Sequence, residues 1–157
     1  GIQDFVDDLL AVEGQYGNIS PSKDEWSDIE KGVKLCKLMG KLDVGQGCVV
    51  QQGIVLGIEA VEGTDALIKR SGELKRKGSG GVLVKVSKPG QDKTLDLPTI
   101  GPDTITHASN AGLKGIIVES GHTLMINPQE MTDAANKAGM FLVGVTLDDN
   151  GDILNKK

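Results

Sequence analysis

Two short segments hold the residue types that chemistry on a phosphate group would use. The first is Glu62-Gly63-Thr64-Asp65, two carboxylates and a hydroxyl where a strand gives way to a helix. Open α/β sheets gather their ligands at such junctions. Thr64 or Asp65 could equally serve the chain itself by capping that helix. The second segment runs from Lys85 to Gly101 and carries Lys88, Gln91 and Asp96 between them. Asp96 stands amid Leu95, Leu97 and Pro98. A carboxylate with apolar neighbours needs a partner if it is buried, and a divalent cation is a natural one. A solvated loop charge is the other reading of the same residue. Alternation over residues 82–86 puts Val82, Val84 and Val86 on one face and Leu83 with Lys85 on the other. On a strand edge, Lys85 would aim at a ligand anion or at water. The helix opening after Gly101 would turn free N–H groups towards an anion.

The sum is a set of carboxylates for a hard cation, with lysines and helix N–H groups for phosphate. Mg²⁺ commonly binds one or two carboxylates, keeps several waters and touches substrate phosphates. A coordinated water can then attack phosphorus while metal and lysines stabilise the developing charge. Other chemistries lack their residues. There is no GxxxxGK[ST] loop, no GxSxG elbow and no HExxH. Gly78-Ser79-Gly80-Gly81 precedes a strand rather than a helix, so a dinucleotide-binding turn fails on context. The two histidines are His107, within a helical pattern, and His122, in a turn. Cys36 and Cys48 belong to no CxxC pair and to no zinc-ligand cluster. Both read as buried thiols, which suits a reducing compartment.

The elements that must position these groups follow from apolar spacing. The chain has 157 residues, 38% hydrophobic and 25% charged, the size and balance of one globular domain. Aromatics are only 3%, so the core has to be aliphatic. The net charge of −5 and the scarcity of stacking aromatics argue against nucleic-acid binding. Lys69, Arg70, Lys75, Arg76 and Lys77 form the one basic cluster, read as a solvated helical face. No apolar run approaches the length of a membrane span.

Residues 3–12 read as an amphipathic segment, followed by a turn through Gly14 and Gly17. Ser22 and Glu25 form a capping box, opening a helix with Trp26, Ile29, Val33, Cys36 and Gly40 on one core-facing stripe. Leu35, Leu38 and Leu42 make a neighbouring core-facing stripe. Gly47–Gln51 and residues 54–59 predict a hairpin around Gln52-Gly53. A helix is expected from Glu62-Gly63-Thr64-Asp65 to about Lys77, then a strand over 82–86 and a polar segment over 87–99. A helix begins at Gly101-Pro102 and ends at Gly112. Gly115–Glu119 and residues 123–126 read as short strands around Ser120-Gly121. Asn127 caps a further helix that stops at Gly139, and residues 141–146 form the last strand. The expected fold is an α/β single domain, a mixed β-sheet with flanking helices.

Several ordered stretches also resemble a known family. They include Leu42-Asp43-Val44-Gly45-Gln46, Val49-Val50-Gln51-Gln52-Gly53 and Val55-Leu56-Gly57-Ile58-Glu59-Ala60-Val61-Glu62-Gly63-Thr64-Asp65. Further on come Gly81-Val82-Leu83-Val84-Lys85, Lys88-Pro89 with Gln91-Asp92, and Asp96-Leu97-Pro98-Thr99-Ile100-Gly101 with Thr104. Together they resemble the LpxI-type UDP-2,3-diacylglucosamine pyrophosphatases. The resemblance implies Mg²⁺-dependent hydrolysis of UDP-2,3-diacylglucosamine to UMP and lipid X (2,3-diacylglucosamine 1-phosphate) in lipid A biosynthesis. Water is expected to attack the phosphorus nearer the sugar. Asp96 is implied as the catalytic residue and, with Asp65 and Glu62, as a metal ligand. Thr64, Lys85, Lys88, Gln91, Gly101 and Thr104 are implied in substrate binding. The resemblance also implies that residues 1–157 are a C-terminal catalytic domain. Its partners would be an upstream nucleotide-binding-like domain of the same protein, the cytoplasmic membrane surface as a peripheral contact, and a second copy in a homodimer. At Thr94 the chain departs from the arginine that members often carry. A non-catalytic domain capturing lipid X or a nucleotide-sugar is the alternative of another class, and an oligomerisation domain is a third.

Overall fold

The computed structural model describes residues 1–88 and 97–156. Along the chain the elements are α1 (Ile2–Leu9), β1 (Gly14–Tyr16), α2 (Lys23–Lys41), β2 (Gly47–Gln51), β3 (Ile54–Ile58), α3 (Thr64–Glu73) and β4 (Val82–Lys85). They continue with β5 (Thr99–Ile100), α4 (Pro102–Asn110), β6 (Gly115–Glu119), β7 (Leu124–Met125), α5 (Pro128–Ala138) and β8 (Phe141–Val145). The main sheet has the order β1-β8-β6-β4-β2-β3. Its centre, β8-β6-β4, is parallel, while β2 runs antiparallel to β4 and β3 antiparallel to β2. This is the expected mixed sheet with flanking helices.

Alternation along the buried strands builds two cores. On one side Cys48, Val50, Val82, Val84, Ile117 and Val143 meet Ile29, Val33 and Cys36 of α2. On the other, Val49, Leu83, Ile116 and Leu142 meet Leu67 and Ile68 of α3, Ile105 of α4 and Met131 of α5. Strands β4, β6 and β8 are buried on both faces, as parallel strands between helical layers must be.

Local chemistry fixes the ends of these elements. The hydroxyl of Ser22 accepts from the Glu25 amide at 3.1 Å, and the Glu25 carboxylate accepts from the Ser22 amide at 2.8 Å, the expected capping box. The β2–β3 turn has φ of 53° at Gln52 and 76° at Gly53, as a two-residue hairpin of primed type requires. Buried Asp28 of α2 secures it by accepting from the amides of Gln52 (3.0 Å) and Gly53 (2.8 Å). Asn127 does precede α5, but in left-handed conformation and with no side-chain cap bond.

Other expectations are corrected. Gly14 to Tyr16 is not a turn but an edge strand on β8. Strands β6 and β7 do not pair; β7 pairs in parallel with β5 in a small second sheet. Leu38 and Leu42 are 59% and 78% exposed, because the core-facing side of α2 carries Ile29, Val33, Cys36 and Met39 to its end, which puts Leu38 on the outward side and Leu42 just past the last helical residue. Helix α3 stops at Glu73, so Lys75, Arg76 and Lys77 sit in the α3–β4 connection. That connection is moored by Gln51, whose amide nitrogen donates to the carbonyls of Arg76 (3.1 Å) and Ser79 (3.2 Å). Lys85 is not on a strand edge, since β4 lies between β6 and β2.

Candidate functional site

The carboxyl ends of β3, β4, β6 and β8 all lie at one end of the main sheet, together with the start of β2. Strand ends that gather in this way form a common mouth, where ligands of such sheets bind. Two buried carboxylates stand there, Glu59 just after β3 and Glu119 at the end of β6.

Glu59 belongs to a closed ring of three side chains. Lys85 Nζ donates to Thr64 Oγ1 at 2.7 Å, and that hydroxyl donates to Glu59 Oε2 at 2.7 Å. Lys85 Nζ also lies 3.3 Å from Glu59 Oε2 and 3.4 Å from Oε1. The backbone amide of Gln46 adds a bond to Glu59 Oε1 at 3.2 Å. Burial pushes the Glu59 carboxyl up, but the Lys85 charge, the Thr64 hydroxyl and the Gln46 amide together hold it below the ordinary glutamate value.

Local backbone geometry makes the ring. At Gly45 an added Cβ would fall 1.9 Å from the Glu59 carbonyl oxygen, so only glycine lets the β2 approach run this close. Gly63 caps α3 at φ 88°, a left-handed turn that glycine enters without strain. It sets Thr64 in the first helical position, with its hydroxyl turned into the ring. Lys85 is delivered by the register of β4 against β2, opposite Gly47.

Glu119 holds a different set. Its Oε1 accepts from the Ser87 amide (3.0 Å) and hydroxyl (2.8 Å). Lys37 of α2 lies 3.4 Å and 3.5 Å from its two oxygens and donates to the Ser87 carbonyl at 3.4 Å. His122 Nδ1 donates to the Ser120 carbonyl at 3.1 Å and stands 3.5 Å from Glu119 Oε2. These residues line a cavity of about 430 Å³ with Lys41, Lys88 and Asp148. A larger groove of about 590 Å³ lies away from both acids, between α3 and α4, with Asp65, Lys69 and His107 on its walls.

The residues singled out in the sequence thus fall in several places. Thr64 and Lys85 meet in the ring. Glu62 accepts from the Ala60 amide (3.0 Å) and pairs with Arg70 (3.2 Å). Asp65 points into the α3–α4 groove, 3.7 Å from His107 Nε2. Lys88 pairs with Asp43 at 2.6 Å. Thr104 Oγ1 accepts from the Gly101 amide at 3.1 Å, closing the first turn of α4. Gln91 and Asp96 lie outside the described residues, as does Thr94. Among the described residues, no group of three or more His, Cys, Asp or Glu side chains is placed to hold a metal ion. Glu62 and Asp65 meet Arg70 and His107 respectively, and the third carboxylate expected with them, Asp96, lies outside the described residues.

Glu59, Glu119, Ser87 and Lys37 were not singled out from the sequence. The signal for Glu59 was Lys85 itself, a charge in an otherwise apolar strand that needs a partner once buried. Cys36 and Cys48 are buried free thiols with their sulfurs 3.6 Å apart, as expected of the core. The hydrogen bond to Cys36 and burial push the Cys48 thiol well up, which leaves it inert. No helix among the described residues is long and apolar enough to cross a membrane.

Comparison with known proteins gives the family. Residues 12–143 match the model of the LpxI C-terminal domain. The chain is 39% identical over 151 residues to the UDP-2,3-diacylglucosamine pyrophosphatase LpxI of Caulobacter vibrioides, covering 92% of this chain and 54% of that protein. The chain therefore spans about half the length of the curated relative it matches. It belongs to the LpxI family, through that family's C-terminal domain.

Proposed function

We propose that this chain is the catalytic C-terminal domain of an enzyme that hydrolyses the pyrophosphate of UDP-2,3-diacylglucosamine to UMP and lipid X, a step of lipid A biosynthesis. The observation that carries the reading is the 39% identity to a pyrophosphatase of that name across 92% of the chain. The mouth at the strand ends supports it chemically. A diphosphate needs fixed cations held out of bulk water, where their charge acts most strongly on phosphoryl oxygens. Lys85 is such a cation, and Lys88, with Lys37 and Lys41 in the adjoining cavity, adds positive charge.

Six further parts of the proposal rest on the resemblance alone. Asp96 is the essential carboxylate, and Gln91 touches substrate. A divalent cation, magnesium, is required. An upstream nucleotide-binding-like domain completes the active protein, with a homodimer as its assembly. The protein works in the cytoplasm at the surface of the inner membrane, where its acylated substrate resides.

The test is incubation of the chain, and of any longer protein that carries it, with UDP-2,3-diacylglucosamine, with Mg²⁺ or with EDTA. Release of UMP and lipid X is expected, and it should stop with EDTA. Asp96→Ala should abolish release while the far- and near-ultraviolet circular dichroism stay unchanged. Tight substrate binding without UMP in every form of the protein would replace hydrolysis with capture of the ligand.

A further inference from the structure

The Glu59–Thr64–Lys85 ring leaves one group unspent. An ammonium has three N–H donors. One goes to Thr64 Oγ1 at 2.7 Å and one is shared by the Glu59 oxygens at 3.3 and 3.4 Å. The third has no acceptor among the described residues. The lysine side chain is only 6% exposed and that of Glu59 only 10%, so neither charge is solvated like a surface pair. Thr64 spends its proton on Glu59 and one lone pair on Lys85, which closes the ring and fixes the direction of the remaining N–H.

Stability gives a poor reason for this arrangement. A buried ion pair is often no better for the fold than well-packed apolar side chains of the same size. Yet the chain brings three separate elements to it: Gly45 and Gln46 before β2, Gly63 and Thr64 at the start of α3, and Lys85 at the end of β4. A lysine left to itself is a flexible point charge with rotamer entropy to lose on each binding event. Anchored on two sides, that freedom is gone before the ligand arrives, and only groups already in place favour a transition state without reorganising.

We propose that Glu59 is a positioning residue for the hydrolysis: it holds the Lys85 ammonium, through the ring with Thr64, so that its third N–H meets a phosphoryl oxygen of the substrate. The inference rests on the function proposed above. It gives Glu59 no contact with the reacting atoms. Its whole effect passes through Lys85.

A double-mutant cycle tests this. The unsubstituted enzyme, Glu59→Gln, Lys85→Met and the double variant are compared for kcat, KM and thermal midpoint with UDP-2,3-diacylglucosamine. Glu59→Gln should lower kcat/KM by about 100-fold, the scale of a misplaced catalytic group, and Lys85→Met by at least as much. The double variant should be no slower than Lys85→Met alone, because Glu59 has nothing left to position. It also leaves no buried charge at the ring and should be the better folded; if Glu59→Gln unfolds, the Thr64 variants carry the test in place of the cycle. Thr64→Ser should restore what Thr64→Val loses, roughly 10-fold for one hydrogen bond. Losses that add in full in the double variant would overturn the inference while leaving the hydrolysis intact. So would a Glu59→Gln enzyme with lowered thermal midpoint and unchanged kcat/KM. Absence of turnover by the unsubstituted enzyme would overturn the functional reading, and the role of Glu59 with it.

Discussion

Glu59 and Glu119 are both buried acids at the same end of the sheet, and each accepts from one backbone amide, one hydroxyl and one lysine near 3.4 Å, yet the two lysines differ in their access to water. Lys85 is 6% exposed and Lys37 22%. The first acid therefore faces a countercharge that has no water to fall back on, and the second faces one that has. What Glu119 holds firmly is Ser87, at the point where the chain leaves β4. Similar chemistry thus serves two ends: one carboxylate aims an ammonium, and the other fixes where a connection starts.

The difference can be broken by substitution. Lys85→Ala should have the largest effect on stability, roughly 3–5 kcal/mol, because it strands the Glu59 charge in a dry mouth. Lys37→Ala should cost about 1 kcal/mol or less, as for pairs that keep solvent. Equal losses in urea unfolding would erase the contrast. Glu119→Gln should come next, at about 1.5–3 kcal/mol for hydrogen bonds to a charged acceptor. Its distinguishing sign is faster amide exchange at Ser87, with the Glu59 ring unaffected. If Ser87 stays protected, Glu119 does not hold the main chain.

Acid should sharpen the comparison further. The folded Glu59 carboxyl lies below its ordinary value, so its contribution is complete above an unfolded pKa of about 4.3 and is lost as pH falls through the folded one. Glu59→Gln should flatten the stability curve below that point, and an unchanged slope would show that the ring does not carry the titration. The smallest effect is expected outside both clusters. Asp65 and His107 are 71% and 47% exposed, and His107→Ala should change stability by about 0.5 kcal/mol or less. A loss above that in urea unfolding would mean that the α3–α4 groove is held by this pair.

Much of the scaffold was legible because it is written locally. The Ser22 capping box, the Gln52-Gly53 turn and the alternation of Val82, Val84 and Val86 each need only a few neighbouring residues. The misreadings involve distance along the chain. Strand β7 finds β5 rather than β6, and β1 is only three residues long, too short to show a period. Leu38 and Leu42 keep an apolar rhythm of their own, but Leu38 falls on the outward side of α2 and Leu42 just past its end. For Lys85 the pattern gave the face but not its place in the strand order. That place makes the lysine buried and obliges Glu59 to be there. Asp96, the centre of the sequence argument, lies outside the described residues, so the site as described rests on Glu59, Thr64 and Lys85.

Arg70 has a second consequence through the outer rim of β3. Its guanidinium donates to the Ile58 carbonyl at 2.9 Å while it pairs with Glu62, and that carbonyl faces away from β2, since the next residue's amide bonds Gly47. An arriving extended peptide therefore finds the row of acceptors interrupted, a common defence against edge-to-edge growth. Concentrated protein should stay dispersed on that account, and Arg70→Ala should be the variant that clouds first under agitation.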